Sequence, residues 1–186
     1  IESLIDLDNN LRTIGSGLVI VKGKPEVELV KLAMSYQATK VFSKMEVAFE
    51  ELMSQQKVET ELLKIKCSLE TSTTNTLYRL TDLPFQLSNI PSVFTDFRKA
   101  VEGKSFVRDM VFQPQKIHSP EIPFCQIPRI TDLELNEFKP DCRAAFNFKG
   151  GETEGKERVN NYCFETHSIS TYKKTRNDLI GENYSN

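Results

Sequence analysis

GLVIVKGKPEVELVKLAMSYQATKVF, residues 17–42, reads as strand, helix, strand. Leu18 to Val21 is a continuous apolar run of β-formers, the pattern of a strand buried on both faces rather than half exposed. Gly23 breaks the chain. Pro25 then stands where a helix tolerates it best, at the first position, with Glu26 and Glu28 in the first turn. Val27, Val30 and Met34 recur at helical spacing, and Leu29, Ala33 and Tyr36 widen the expected buried stripe. Lys40 to Phe42 opens a second strand. Two strands joined by a crossover helix lie parallel, and such sheets are covered by helices. The expectation is a parallel α/β layer in which Leu18–Val21 and Lys40–Phe42 are neighbours and a helix over 25–37 crosses between them.

Upstream, Leu4, Leu7, Leu11 and Ile14 keep a helical period that runs back to Ile1 with no cap and no initiator Met. A chain lacking its natural front is therefore expected. Gly15-Ser16-Gly17 would end that helix. A dinucleotide fingerprint follows a strand and opens a helix, whereas the order here is reversed, so a capping turn is the better reading. The 186 residues are 39% hydrophobic and 27% charged, which suits one modest domain or parts of two. A net charge of −2 excludes a wholly basic nucleic-acid coat, and any contact with DNA would be a local patch. No apolar run is long enough to span a membrane, and the residues from Ile1 onward are not expected to be a signal peptide. Four cysteines (Cys67, Cys125, Cys142, Cys163) form no C-x-x-C pair, the pattern of reduced thiols in the cytosol.

Downstream, Met45–Lys64 is rich in helix formers, with Val47, Leu52, Val58 and Leu62 as its inward side. Ile65 to Leu69 alternates like a third strand. Leu83-Pro84 and Ile90-Pro91 mark extended backbone, because a residue before proline is pushed out of the helical region. A helix resumes through Phe94, Phe97 and Val101. Residues 103–142 hold five of the eight prolines and read as a connecting segment, with one helical turn at Thr131–Leu135. Helical signals return after Phe146: Gly150-Gly151 as a start, then Val159, Tyr162 and Cys163 on one face, and a second piece over Ser168–Asp178.

The chemistry offered by residue types alone is thin. The two histidines, His118 and His167, stand in no metalloprotease, nucleophile-elbow or phosphate-loop motif. Glu50 and Glu51 are adjacent on a helix, so their side chains diverge and cannot act as opposed acid and base. Lys173, Lys174 and Arg176 beside Tyr172 could touch phosphate or simply face solvent.

Two stretches are more specific. TLYRLTDLPF (76–85), followed by IPSVFTDFRK (90–99), resembles the end of the antenna domain of the DASH cryptochromes. FKGGE (148–152), YKKTRN (172–177) and GENYS (181–185) resemble the opening of that family's flavin-binding domain. Order and spacing both fit, and Gly23-Lys24-Pro25-Glu26 fits with them. The resemblance implies a photolyase-type Rossmann-like sheet flanked by helices over residues 1–102. It implies a linker over 103–142 and the beginning of an all-α FAD domain over 143–186.

The activity it implies is light-dependent repair of cyclobutane pyrimidine dimers in single-stranded DNA by flavin electron transfer, with damaged DNA as partner and the protein a cytoplasmic or organellar monomer. It also allows a methenyltetrahydrofolate antenna. A blue-light receptor or nucleic-acid-binding protein of the same fold remains the alternative, since fold does not fix function. A degenerate remnant serving as an interaction module is a third. Glu50 matches the family's folate-binding glutamate, with a solvated carboxylate as the competing reading. Tyr172 matches the tyrosine that approaches the flavin, with simple packing as the competitor. Ser185 and Asn186 fall where the phosphate-binding loop begins. The family's Trp-Gly-Ser stands here as Thr73-Thr74-Asn75, its first-helix Trp as Phe164, and the chain has no tryptophan. Catalysis by these 186 residues alone is not expected.

Overall fold

The computed structural model describes residues 1–73, 76–123, 126–137, 139, 141–143 and 148–177. Its contacts divide into two compact units, Val21–Phe112 on one side and Ile1–Ile20 with Gln113–Asn186 on the other.

In the first unit, α2 (Pro25–Ser35) follows an extended Lys24, with Pro25 at its first turn. β1 (Lys40–Lys44), α3 (Phe49–Lys64) and β2 (Ser68–Ser72) come next. β1 and β2 are parallel, in register from Lys40 opposite Ser68 to Lys44 opposite Ser72. Ala33, Val58, Leu62 and Cys67 form the core, and Leu29, Val30, Val41 and Leu69 pack against it. Both helices end in the same way. Gln37 (φ 52°) and Lys66 (φ 59°) take the left-handed conformation. The amide of Ala38 then reaches back to the carbonyl of Ala33 at 2.8 Å, and that of Cys67 to Leu62 at 3.0 Å. With Gln37 N–H on Met34 (3.3 Å) and Lys66 N–H on Leu63 (3.0 Å), each is a Schellman turn that satisfies two orphan carbonyls. Each turn brings an apolar residue, Ala38 or Cys67, back against its helix and releases the chain into a strand.

Several expectations are corrected here. Leu18–Val21 forms no strand, and the neighbour of β1 is β2. A strand exists only through its ladder, and an apolar run reports a demand for burial without naming a partner. The amide of Leu18 is taken by the Asp8 carboxylate at 2.9 Å instead. The third strand lies at Ser68–Ser72 rather than Ile65–Leu69, because the Schellman turn uses Ile65 to Cys67. On α2 the stripe narrows to Ala33, Leu29 and Val30, leaving Val27, Met34 and Tyr36 exposed. α3 begins only at Phe49, and Val47 stands almost fully exposed while Val58 and Leu62 are buried.

The remainder of this unit is irregular around the prolines, with 3₁₀ turns at Leu80–Asp82 and Leu87–Asn89 before α4 (Phe94–Lys104). Val101 is buried, and Phe97 packs against Phe85 at 5.8 Å between ring centroids. A bidentate clasp closes the segment: Arg108 Nε and Nη2 each donate to the Asp82 carboxylate at 2.6 Å. Ser105 Oγ adds a bond to the Asp82 carbonyl at 2.8 Å.

In the second unit, α1 (Glu2–Thr13) ends in a turn at Gly15 (φ 85°), as the glycines require. Its apolar stripe is largely exposed. Asp8 is the buried residue, donated to by Arg12 Nε at 2.7 Å. α5 (Glu152–Asn160) runs into a π-helical turn at Asn161–Glu165, followed by a 3₁₀ turn and α6 (Tyr172–Thr175). Tyr162 is buried, but Val159 stays exposed because the π turn shifts the helical phase between them.

α1 caps α5 from outside. Asp6 accepts from Thr153 N–H at 3.1 Å and Oγ1 at 2.6 Å, and Glu2 accepts from Gly150 N–H at 2.6 Å. A β-carbon on Gly151 (φ 122°) would meet Asp6 Cβ at 2.8 Å, and one on Gly150 would meet Ser3 Oγ at 2.7 Å. Both glycines permit this close approach. The Thr153 bonds, with hydroxyl before amide in weight, hold the Asp6 carboxyl below the usual carboxylate range.

Candidate functional site

β1 delivers Phe42, Ser43 and Lys44 to the carboxyl end of the sheet, the side on which parallel α/β layers place their ligands. A cavity of about 400 Å³ opens there. Its apolar floor is Pro25 and Leu29 from α2, Val41 and Leu69 from the strands, and Val58 from α3. Glu51, Ser54 and Gln55 from α3, with Ser43, Lys44 and Glu46, make the polar wall. Glu51, Ser54, Gln55 and Val58 are spaced i, i+3, i+4, i+7, one face of the helix.

This wall accepts more than it donates. Lys44 Nζ is held by Glu46 Oε1 at 3.0 Å. Glu50 and Glu51 occupy the first turn of α3, where a phosphate would otherwise find free amides and a favourable dipole. Gln55 Oε1 is shielded from water and meets no donor. An apolar floor beneath carboxylates and an unsatisfied amide oxygen suits a flat ring that carries N–H groups, and it disfavours a phosphate. A pterin ring has that character, so these residues fit the folate implied by the resemblance.

The predicted site residues fall as follows. Glu50 is exposed in the first turn of α3 and does not line the cavity, whereas its neighbour Glu51 does. Tyr172 is exposed at the start of α6, beside Lys173 and Lys174. It lies in the other unit and contributes nothing to this cavity. Ser185 and Asn186 lie outside the described residues. Ser54 and Gln55 were missed from the sequence, although their spacing from Glu51 and Val58 carries the signal. Among the described residues, no group of three or more His, Cys, Asp or Glu side chains gathers to hold a metal, and no helix is long and apolar enough to cross a membrane.

A parallel layer with a ligand-sized opening at its carboxyl end defines a class, and comparison with known proteins gives the family. The sequence pattern of the family described as DNA photolyase matches residues 1–120. The chain belongs to the DNA photolyase family, and its relatives are DASH cryptochromes. It is 34% identical to the cryptochrome DASH of Gloeobacter violaceus over 186 residues, covering 100% of this chain and 37% of that protein. It is 38% identical to the cryptochrome DASH of Danio rerio, again covering all of this chain and 36% of the relative. The chain thus spans a little over a third of the length of these relatives.

Among solved structures, a cryptochrome from Synechocystis sp. PCC6803 superposes with a TM-score of 0.90 at 29% identity, covering 98% of this chain and 38% of that one. A class III photolyase from Agrobacterium tumefaciens shares the fold at a TM-score of 0.80 and 19% identity.

Proposed function

We propose that this chain is part of a light-driven repair enzyme acting on cyclobutane pyrimidine dimers in single-stranded DNA. The observation that carries the reading is the family match over residues 1–120 together with cryptochrome DASH relatives that align with the whole chain. In this reading residues 1–102 belong to the antenna domain, with its layer in the unit Val21–Phe112 while Ile1–Ile20 group with Gln113–Asn186, residues 103–142 connect, and 143 onward begins the helical flavin domain. FAD, when bound there, supplies the photoexcited electron that opens the dimer. This chain's residues toward it are Tyr172, packing beside the ring system, and Ser185 and Asn186, opening a loop for the pyrophosphate. Single strands suit such a site because a dimer leaves a single strand's stack at lower cost.

A methenyltetrahydrofolate antenna occupies the cavity at the carboxyl end of β1, with the Glu51 carboxylate on the wall accepting from the pterin N–H groups and Glu50, one residue before it, outside the lining. Glu51→Gln keeps the shape but removes a charge-assisted bond, so folate retention falls about tenfold or more. The protein works as a monomer in the cytoplasm or, as four relatives' names specify, in a chloroplast or mitochondrion.

The test is a dimer-containing oligothymidylate incubated with protein of the relatives' full length, in blue light and in darkness. Light-dependent return of intact thymines is expected. Flavin photoreduction without loss of dimers would replace the enzyme with a photoreceptor.

A further inference from the structure

Phe106, Val107, Met110, Val111 and Phe112 are between 51% and 86% exposed, five large apolar side chains within seven residues. Single apolar residues at a surface are ordinary, whereas a contiguous run of this density marks an interaction face. The backbone adds to the demand. Residues 106–112 belong to no helix or strand, and among the described residues no backbone hydrogen bond joins their peptide groups to the rest of the chain. The run is rich in β-formers, and an apolar stretch with unpaired peptide groups is an aggregation hazard unless something covers it.

The run is nevertheless held in place. Arg108 directs Nε and Nη2 at Asp82, whose side chain is only 9% exposed, and Ser105 Oγ secures the Asp82 carbonyl. These bonds fix the start of the run beside the turn at Leu80–Asp82, where Leu80 is itself exposed. Such pre-organisation costs conformational freedom while its apolar side chains still face water. It is explained if another surface docks there.

The chemistry of the run selects the occupant. Its one cation, Arg108, is already paired with Asp82, and Asp109 adds a negative charge, so nucleic acid is disfavoured. An apolar protein surface fits. Relatives that align with the whole chain have nearly two thirds of their length outside it, since the chain covers 37% and 36% of them. A surface on the same polypeptide meets the run at an effective concentration of about millimolar, which outcompetes a second copy at micromolar concentration.

We propose that residues 106–112 are an interdomain docking face, covered by an apolar surface of the part of the same polypeptide that lies outside these 186 residues. The proposal rests on the reading of this chain as part of a longer enzyme, and it adds which segment receives the remainder.

The experiment compares protein of the relatives' full length with the 186 residues alone. Each is treated with dilute hydrogen peroxide, and oxidation of the exposed Met110 is timed by peptide mass spectrometry. Val111→Asp is made in both, and urea midpoints are followed by circular dichroism. Oxidation of Met110 about tenfold or more slower in the full-length protein is expected. A lower urea midpoint for Val111→Asp is expected there only, because Val111 is exposed in the 186 residues. Equal Met110 rates in the two proteins overturn the proposal, and an equal fall of the midpoint in both overturns it in favour of packing within the chain. Protection that appears in the 186 residues alone as their concentration rises assigns the face to a second copy and overturns it too. So does protection that needs added oligothymidylate, which assigns the face to nucleic acid. Dimer repair in blue light tests the enzyme reading separately. Repair with Met110 unprotected overturns this proposal alone, and protection without repair overturns that reading alone.

Discussion

Leu62 and Leu63 are consecutive on α3, and their contrast measures what holds the sheet unit together. Leu62 is 0% exposed and sits among Ala33, Val58 and Cys67, while Leu63 is 60% exposed. Leu62→Ala removes a fully buried side chain, which costs about 3–4 kcal/mol in lost transfer and in the cavity left behind. Leu63→Ala gives up the smaller covered part of its side chain, less a few tenths regained in helix propensity, for a net of about 0.5 kcal/mol. The carbonyl of residue 62 still accepts the Cys67 amide in either variant, so the turn into β2 is preserved and the difference isolates the side chain. A difference of about 2.5–3.5 kcal/mol is roughly a 60- to 300-fold change in an opening equilibrium. Native-state hydrogen exchange of the β1–β2 ladder amides reads that equilibrium for this unit alone, which matters in a chain with two units. Exchange in Leu62→Ala should therefore quicken by about two to three orders of magnitude, and in Leu63→Ala by less than about threefold. Comparable acceleration in both would mean that the unit is not held by this cluster and would refute the core assignment.

Other outcomes follow from the same geometry. Gly151→Ala forces a β-carbon against Asp6 at a φ of 122°, so α5 should lose its tie to α1; protease nicking near residues 148–153 would show it, and unchanged resistance would contradict the close approach. Asp82 is held below the usual carboxylate range first by the hydrogen bonds from Arg108, as Asp6 is by Thr153. Such carboxyls stabilise the fold fully above the unfolded carboxylate pKa of about 4, and their contribution is lost as pH falls through the lowered values. Urea midpoints should drop below about pH 4–5, and Asp82→Asn should flatten that drop; an identical pH profile would count against the clasp. Replacing Gln37 or Lys66 by glycine relieves a left-handed side chain and should be neutral or stabilising by up to about 1 kcal/mol, whereas a large loss in thermal melts would argue against the two Schellman turns. The 186 residues alone should purify colourless, because FAD needs an enclosing site; stoichiometric flavin absorbance would show that the cofactor is held by fewer residues than proposed.

How far the sequence could be read depended on how local each feature is. Pro25 at the start of α2, the glycine turn after α1 and the 3₁₀ turn near Thr131 are set by neighbours in the chain, and each stands where the pattern places it. Leu18–Val21 looked more like a strand than Ser68–Ser72 does, because apolar side chains are visible in a sequence and ladder partners are not. The Gly150-Gly151 pair was recognisable as a helix start, but its reason is the approach of α1 from about 145 residues away. At the cavity the resemblance pointed to Glu50 in the first turn of α3, whereas the residue of that turn that lines the opening is Glu51. Adjacent helical residues point about 100° apart, so only the neighbouring strand and α2 decide that Glu51, and not Glu50, faces inward.

The paired Schellman turns also act as rulers. Each fixes the count of residues between a helix's last core contact and the first rung of its strand, seven from Ala33 to Lys40 and six from Leu62 to Ser68. Adding one residue to 36–39 or 65–67 would reverse which face of a strand looks inward, while the stretch between β1 and α3 carries no such count. The chain should therefore tolerate insertions at residues 45–48 and reject them at the two turns. Evolution and protein engineering would then both find room to vary this fold at the mouth of its cavity rather than beneath its sheet.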